Sequence, residues 1–241
     1  MQLVQSSQIA EGASPKRRSV NWREAAWGYF FIAPGILGVI IFTFFPVFFA
    51  LGISFSDWSI LAQPNWVGAD NYTRLVADPI FAKVMRNTLY YTIVSVPLGL
   101  AVSLFFAIIL NQKIRFLALF RTAYFLPVIS ASVAVSMVWM WLLDSNFGLI
   151  NLGLVRIGLS PVQWLSNPLT AMPAIIIVSV WRSMGWNMII YLAALQDVPE
   201  DLYAAGKIDG ANNWQLFRSI TLPLITPAIF FTTITGFIGS F

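Results

Sequence analysis

The sequence predicts an all-α fold, a polytopic transmembrane helical bundle of about five spans. Two observations carry that prediction, and a third bounds the chemistry. Of 241 residues, 58% are hydrophobic and only 10% are charged, whereas ordinary soluble domains carry about 25% charged residues. The charges also leave long uninterrupted apolar stretches, each able to cross a bilayer. Finally, there is no His and no Cys, which excludes disulfides, thiol nucleophiles, Cys/His zinc sites and Ser-His-Asp triads.

A span needs about 20 apolar residues, because the hydrocarbon is about 30 Å thick and a helix rises about 1.5 Å per residue. Residues 25–56 are free of charge over 32 positions, 87–112 over 26, 122–143 over 22 and 219–241 over 23, and 157–196 is interrupted only by Arg182. Helices are therefore expected at Tyr29–Phe55, Thr88–Leu110, Thr122–Leu143, Ala171–Leu195 and Leu222–Phe241. Pro34, Pro46, Pro97, Pro127 and Pro173 fall within or near these spans; a bilayer helix tolerates them as bends. Lys16, Arg17 and Arg18 precede the first span as in a signal peptide. Its apolar run is about twice the usual signal core and no small-residue cleavage site follows, so it reads as an anchor.

The net charge of +4 reports membrane orientation rather than nucleic acid, because the basic residues sit beside apolar runs. One set of alternate segments holds Lys16, Arg17, Arg18, Arg23, Lys113, Arg115, Arg121, Lys207 and Arg218; the other holds Arg74, Lys83, Arg86 and Arg156. The positive-inside bias puts the first set, and the N-terminus, in the cytoplasm. Residues 1–24 then form a cytoplasmic tail and 25–241 one transmembrane domain. Residues 56–87 and 144–170 face outward, and 196–223 form a cytoplasmic loop. Trp58, Trp66, Tyr72, Trp139, Trp141, Trp164 and Trp181 lie near the span boundaries, where aromatic rings anchor to headgroups.

The loop reads as two short helices around a turn. Pro199, Glu200 and Asp201 suit a helix start, with acids facing the dipole, and Asp209-Gly210 is a turn signal. Asn212 or Asn213 can cap a second helix with Trp214, Phe217 and Ile220 three apart on one face, and Pro223 introduces the fifth span. The result is a helical knob with an apolar face. Either a docking partner or the lipid headgroups would cover that face.

Ala204-Ala205-Gly206, then Gly210, then Ile220-Thr221-Leu222-Pro223 resembles the Glu-Ala-Ala loop of permease subunits of binding-protein-dependent ABC importers. Phe-Ile-Ala-Pro-Gly at 31–35, Val-Gly-Ala-Asp-Asn-Tyr at 67–72, and Phe81 with Asn87-Thr88 are similar to the carbohydrate branch, with its maltose, glycerol-3-phosphate and lactose-type permeases. Ala204 replaces the signature's Glu and Gly206 its last Ala, so an ion pair from that Glu is unavailable here. Relatives usually continue through a further span, so two readings stay open: a chain truncated before a sixth span, or a natural end at Phe241.

The resemblance implies the type I ABC importer permease fold in a bacterial or archaeal cytoplasmic membrane. It also implies a second permease subunit, two ATP-binding cassette ATPases and an extracytoplasmic solute-binding protein delivering a sugar, polyol or sugar phosphate. The chain has no Gly-x-x-x-x-Gly-Lys-Ser/Thr loop, so it is expected to bind no cofactor, with ATP and Mg used by the partner. The loop from Glu200 to Ser219 would be the lever on which the ATPase acts. For the substrate path the candidates are Ser130, Ser132, Ser136, Arg182, Trp186, Asn187 and Tyr191. Arg182 is either a polar path wall or a snorkelling or helix-bonding residue near the outer end of the fourth span. The others either line the path or pack helices together. An intramembrane enzyme is disfavoured, because the spans hold no Asp or Glu except Asp144 at a boundary. A passive channel or structural subunit shares the composition, and only the loop argues against it.

Overall fold

The computed structural model describes residues 22–241 apart from 60, 62, 113 and 114. Most of the expected 1–24 tail, with Lys16, Arg17 and Arg18, lies outside the described residues, as does Lys113. The chain divides into two compact units, Met1–Pro79 and Ile80–Phe241.

In the first unit, α1 (Trp22–Val39), a π turn (Ile40–Phe44) and α2 (Phe45–Ile53) run on as one 32-residue apolar helix. The boundary expected after residue 24 falls inside its first turn. The π turn has a local cause. Pro46 lacks an N–H and its ring would crowd the preceding turn; the wide bond from the Phe45 N–H to the Ile40 carbonyl opens the helix one residue earlier.

The following segment is not irregular. β1 (Ser56–Asp57) pairs antiparallel with β2 (Asn65–Trp66), Ser56 opposite Trp66, and leads into α3 (Asp70–Ala77). The 67–72 motif builds this corner. Gly68 takes φ +60°, and Asn71 donates to the Ser54 and Ser56 carbonyls, both at 3.0 Å. The Tyr72 and Ser54 hydroxyls bond at 2.6 Å, while Phe55 packs on Trp66 and Tyr72. The all-α expectation thus needs a two-stranded ribbon added.

The second span, α4 (Pro79–Leu110), starts nine residues before its expected Thr88, taking Lys83 and Arg86 into helix. At 32 residues it is about 48 Å long, well over the hydrocarbon thickness. The third expected span is two helices, α5 (Leu117–Ile129) and α6 (Ser132–Leu142), bent by 100° at Ser130-Ala131. Ser130 is extended there and its hydroxyl donates to the Leu126 carbonyl at 2.8 Å. Then come α7 (Leu149–Arg156), α8 (Pro168–Gln196), α9 (Glu200–Ile208) and α10 (Asn213–Leu216), followed by a π turn (Phe217–Thr221) and α11 (Leu222–Ser240).

The core lies where α4, α8 and α11 meet, around Ala107, Leu110, Met188, Tyr191, Leu192, Leu195 and Ile225. The buried face of α4 is largely small: Thr92, Ser95, Gly99, Ser103 and Ala107. Small residues let membrane helices approach closely, where dispersion contacts hold them. At Gly185 the approach is closest, since a Cβ would collide with the Tyr124 carbonyl and lie 3.1 Å from the Phe125 Cα. Asn151 organises the connection between α6 and α8. Its buried amide donates to the Asp144, Ser145 and Val162 carbonyls and accepts from the Val162 N–H and the Trp164 indole N–H.

Candidate functional site: a folded loop and two interhelical cavities

The 196–223 loop is folded throughout. Pro199 caps α9 in extended conformation, and Glu200 and Asp201 occupy the first turn with Lys207 in the last, a distribution that complements the dipole. The helix ends in a Schellman motif: Gly210 at φ +80° lets the Ala211 N–H reach the Gly206 carbonyl at 2.9 Å and its own N–H the Lys207 carbonyl at 3.1 Å. Of the two expected caps, Asn212 is used. Its side chain accepts from the Gln215 N–H at 2.9 Å and its N–H donates to the Gln215 side chain at 2.8 Å, a reciprocal capping box.

The second loop helix is not a separate piece before the fifth span. α10, the π turn and α11 form one helix, Asn213–Ser240, and Pro223 sits inside it. The Leu222 N–H reaches back to the Phe217 carbonyl one residue before the proline, repeating the arrangement at Pro46. The loop is thus the first turns of a span. α9 is clamped to that root by a Tyr203–Thr221 hydroxyl bond of 2.8 Å and by close contact at Gly206, where a Cβ would lie 2.6 Å from Leu216 Cδ2 and 3.2 Å from Ile220 Cδ1.

The expected apolar face is split. Trp214 is 66% exposed, whereas Phe217, its ring tilted against it with centroids 5.6 Å apart, and Ile220 are half-buried. The buried anchor is Leu216, a residue the three-residue spacing passes over. Ala204 and Ala205 are exposed, as are Asp209, Leu202 and Ile208, the last at 87%.

Among the cavities of the second unit, two are lined by candidate path residues. One, of about 230 Å³, is lined by Tyr91, Ser95, Ser179, Ser183, Asn187 and Thr235, with Gly99 and Gly236 on its wall and no charged side chain. Asn187 was expected on a path; the hydroxyls beside it were not. Their signal is present, since Ser179, Ser183 and Asn187 recur every four residues on α8, and Tyr91 and Ser95 do so on α4, which places each set on one helix face. The other cavity, of about 270 Å³, brings Ser136 of α6 to Arg182 of α8, with Trp139 and Ser179. Arg182 is central in α8 and not near its outer end.

The remaining candidates separate. Tyr191 is fully buried, its hydroxyl bonded to that of Thr232 at 2.6 Å, so it locks α8 to α11 and lines neither cavity. Trp186 is exposed and also lines neither. Ser132 is exposed, its carbonyl accepting from the Ser136 hydroxyl at 2.8 Å. Asp144 accepts from the Phe147 and Asn146 N–H groups, both at 2.8 Å, which holds its carboxyl below the ordinary value. Among the described residues no group of three or more Asp or Glu side chains is placed to hold a metal ion.

Residues 88–241 match the family described as binding-protein-dependent transport system inner membrane component. The lactose transport system permease protein LacF of Rhizobium radiobacter is 39% identical over 234 residues, covering 95% of this chain and 77% of that protein. The trehalose/maltose transport system permease protein MalF of Thermococcus litoralis is 34% identical, covering 87% and 72%. Among solved structures, a bacterial alginate ABC transporter in complex with a pentasaccharide-bound periplasmic protein superposes with a TM-score of 0.75 at 27% identity, over 86% of this chain and 69% of that one.

Proposed function

The chain belongs to the binding-protein-dependent transport system inner membrane components, among the permeases of carbohydrate ABC importers, and on that premise we propose that it forms half of an ATP-driven sugar pathway. Its relatives are named for lactose, arabinooligosaccharide and trehalose/maltose transport, which supports a saccharide as cargo. The uncharged, hydroxyl-lined cavity between α4, α8 and α11 suits such a cargo, because each sugar hydroxyl can exchange its water bonds for Ser, Thr, Tyr or Asn partners.

The observation that carries the reading is the folded loop. A motor can move spans only through a body that transmits force and makes different contacts in the two states. Here α9 is fastened to the root of a span by Tyr203, Thr221 and Gly206, while Trp214, Leu202 and Ile208 stay exposed. An ATPase subunit on the cytoplasmic side would take this surface. It would hold ATP and Mg, leaving this chain without enzymatic chemistry. A second permease would complete the path and an external binding protein would deliver the sugar. The basic-residue bias supports a cytoplasmic N-terminus and loop.

Gly210→Pro, which cannot adopt φ +80°, and Phe217→Asp should each abolish co-purification with the ATPase in detergent while the variant still inserts in the membrane. ATPase association unchanged in both would remove the loop from its role.

A further inference from the structure

Resting on the permease reading, we propose that the cavity between α6 and α8 receives the carboxylate of an acidic saccharide, with Arg182 as its counter-ion. Arg182 is the central residue of the 29-residue helix α8, about 21 Å from either end at 1.5 Å per residue. A charge at such depth is costly unless it meets water, an opposite charge or hydrogen-bond acceptors. Arg182 is exposed on this chain, and among the described residues no opposite charge lines the cavity beside it. No hydrogen bond or ion pair joins Arg182 to another described residue.

The surrounding groups fit a saccharide better than a bare anion. The Ser136 hydroxyl spends its proton on the Ser132 carbonyl, so its lone pairs can accept from a sugar hydroxyl. Trp139 is held edge-to-face by Trp181 at 5.3 Å and offers a fixed apolar plate to the C–H face of a pyranose. Ser179 lines both this cavity and the uncharged one. An oligosaccharide with one acidic unit can therefore place its carboxylate on the guanidinium fork, which matches carboxylate geometry, and a neutral unit among the hydroxyls of α4 and α8.

The chain has no cysteine, so Ser136→Cys puts a single thiol of this subunit into the cavity. Its rate of modification by an uncharged thiol reagent is measured in the assembled importer, in zwitterionic phosphatidylcholine nanodiscs. A glucuronate-containing trisaccharide and its all-glucose counterpart serve as probes. Should Ser136→Cys fail to assemble, Val178→Cys places the thiol on another wall of the same cavity. We expect the acidic probe to slow labelling about tenfold, equivalent to 1.4 kcal/mol, the neutral probe to leave it unchanged, and Arg182→Gln to remove the protection. Absent protection, or equal protection by both probes, overturns the inference. So does protection by phosphatidylglycerol alone, which would make Arg182 a lipid-phosphate contact. ATP-driven uptake of any saccharide by the same complex is scored separately. If uptake persists without protection only the Arg182 assignment falls, and if the native complex takes up none the permease reading falls with it.

Discussion

Gly206 stands where the loop signature carries alanine, and the reason is a contact that only the folded loop reveals. A methyl group there would lie 2.6 Å from Leu216 Cδ2, and Leu216, 5% exposed, has little room to swing away. In an exposed helix Gly→Ala stabilises by about 0.5–1 kcal/mol. Against a packed neighbour, overpacking costs about 1–3 kcal/mol, and here the second effect should win. Gly206→Ala is expected to lower the melting temperature of the purified protein, and Leu216→Val, which removes the colliding carbon, should recover part of that loss. A double-mutant cycle with a favourable coupling of about 0.5 kcal/mol or more would support the contact; strict additivity would refute it. Ala204, by contrast, is exposed, so replacing the signature's Glu changes the loop's surface charge and leaves its packing untouched.

At the scale of elements, charge-free run lengths were enough to locate four of the spans, because a bilayer-crossing helix leaves a long apolar stretch regardless of its neighbours. For the same reason run length does not show that the third is bent. α5 and α6 together are as apolar as a straight span, and the 100° bend at Ser130-Ala131 leaves no gap in hydropathy. Pro223 misled in the opposite direction. Read as a helix start, it concealed the continuity of Asn213–Ser240, which the π turn before it permits. Gly210 and the Asn212 cap were legible because they act within a few residues, whereas the Gly206–Leu216 contact needs two helices in place. Tyr191 shows the limit for the path: a Tyr among apolar residues reads equally as wall or lock, and burial against Thr232 decides for the lock. Tyr191→Phe should therefore cost stability of about 0.5–1.5 kcal/mol, read as a lowered melting temperature. Saccharide uptake by the assembled complex should keep its rate and selectivity. A changed selectivity would return Tyr191 to the path.

For the whole molecule, the distribution of charge decides how the proposed ATPase would hold it. The surface offered by the loop is apolar at its most exposed points, Ile208 and Trp214, and the position at which the signature puts a carboxylate is Ala204. Glu200, Asp201 and Asp209 remain, offset by Lys207 and Arg218. Exposed ion pairs of this kind contribute about 0–1 kcal/mol each, too little to hold two subunits together, whereas burying one large apolar side chain contributes about 1.5–3 kcal/mol. Attachment should then be insensitive to screening. At 1 M NaCl, where the Debye length falls to about 3 Å, the ATPase should stay bound to the solubilised permease with its affinity within about threefold of that at 0.1 M salt. Trp214→Ala should weaken it about tenfold or more, as truncating a buried aromatic anchor does at other interfaces. If high salt released the ATPase while Trp214→Ala retained it, the attachment would be ionic, and the loss of the signature's carboxylate would have to be compensated by the charges flanking it.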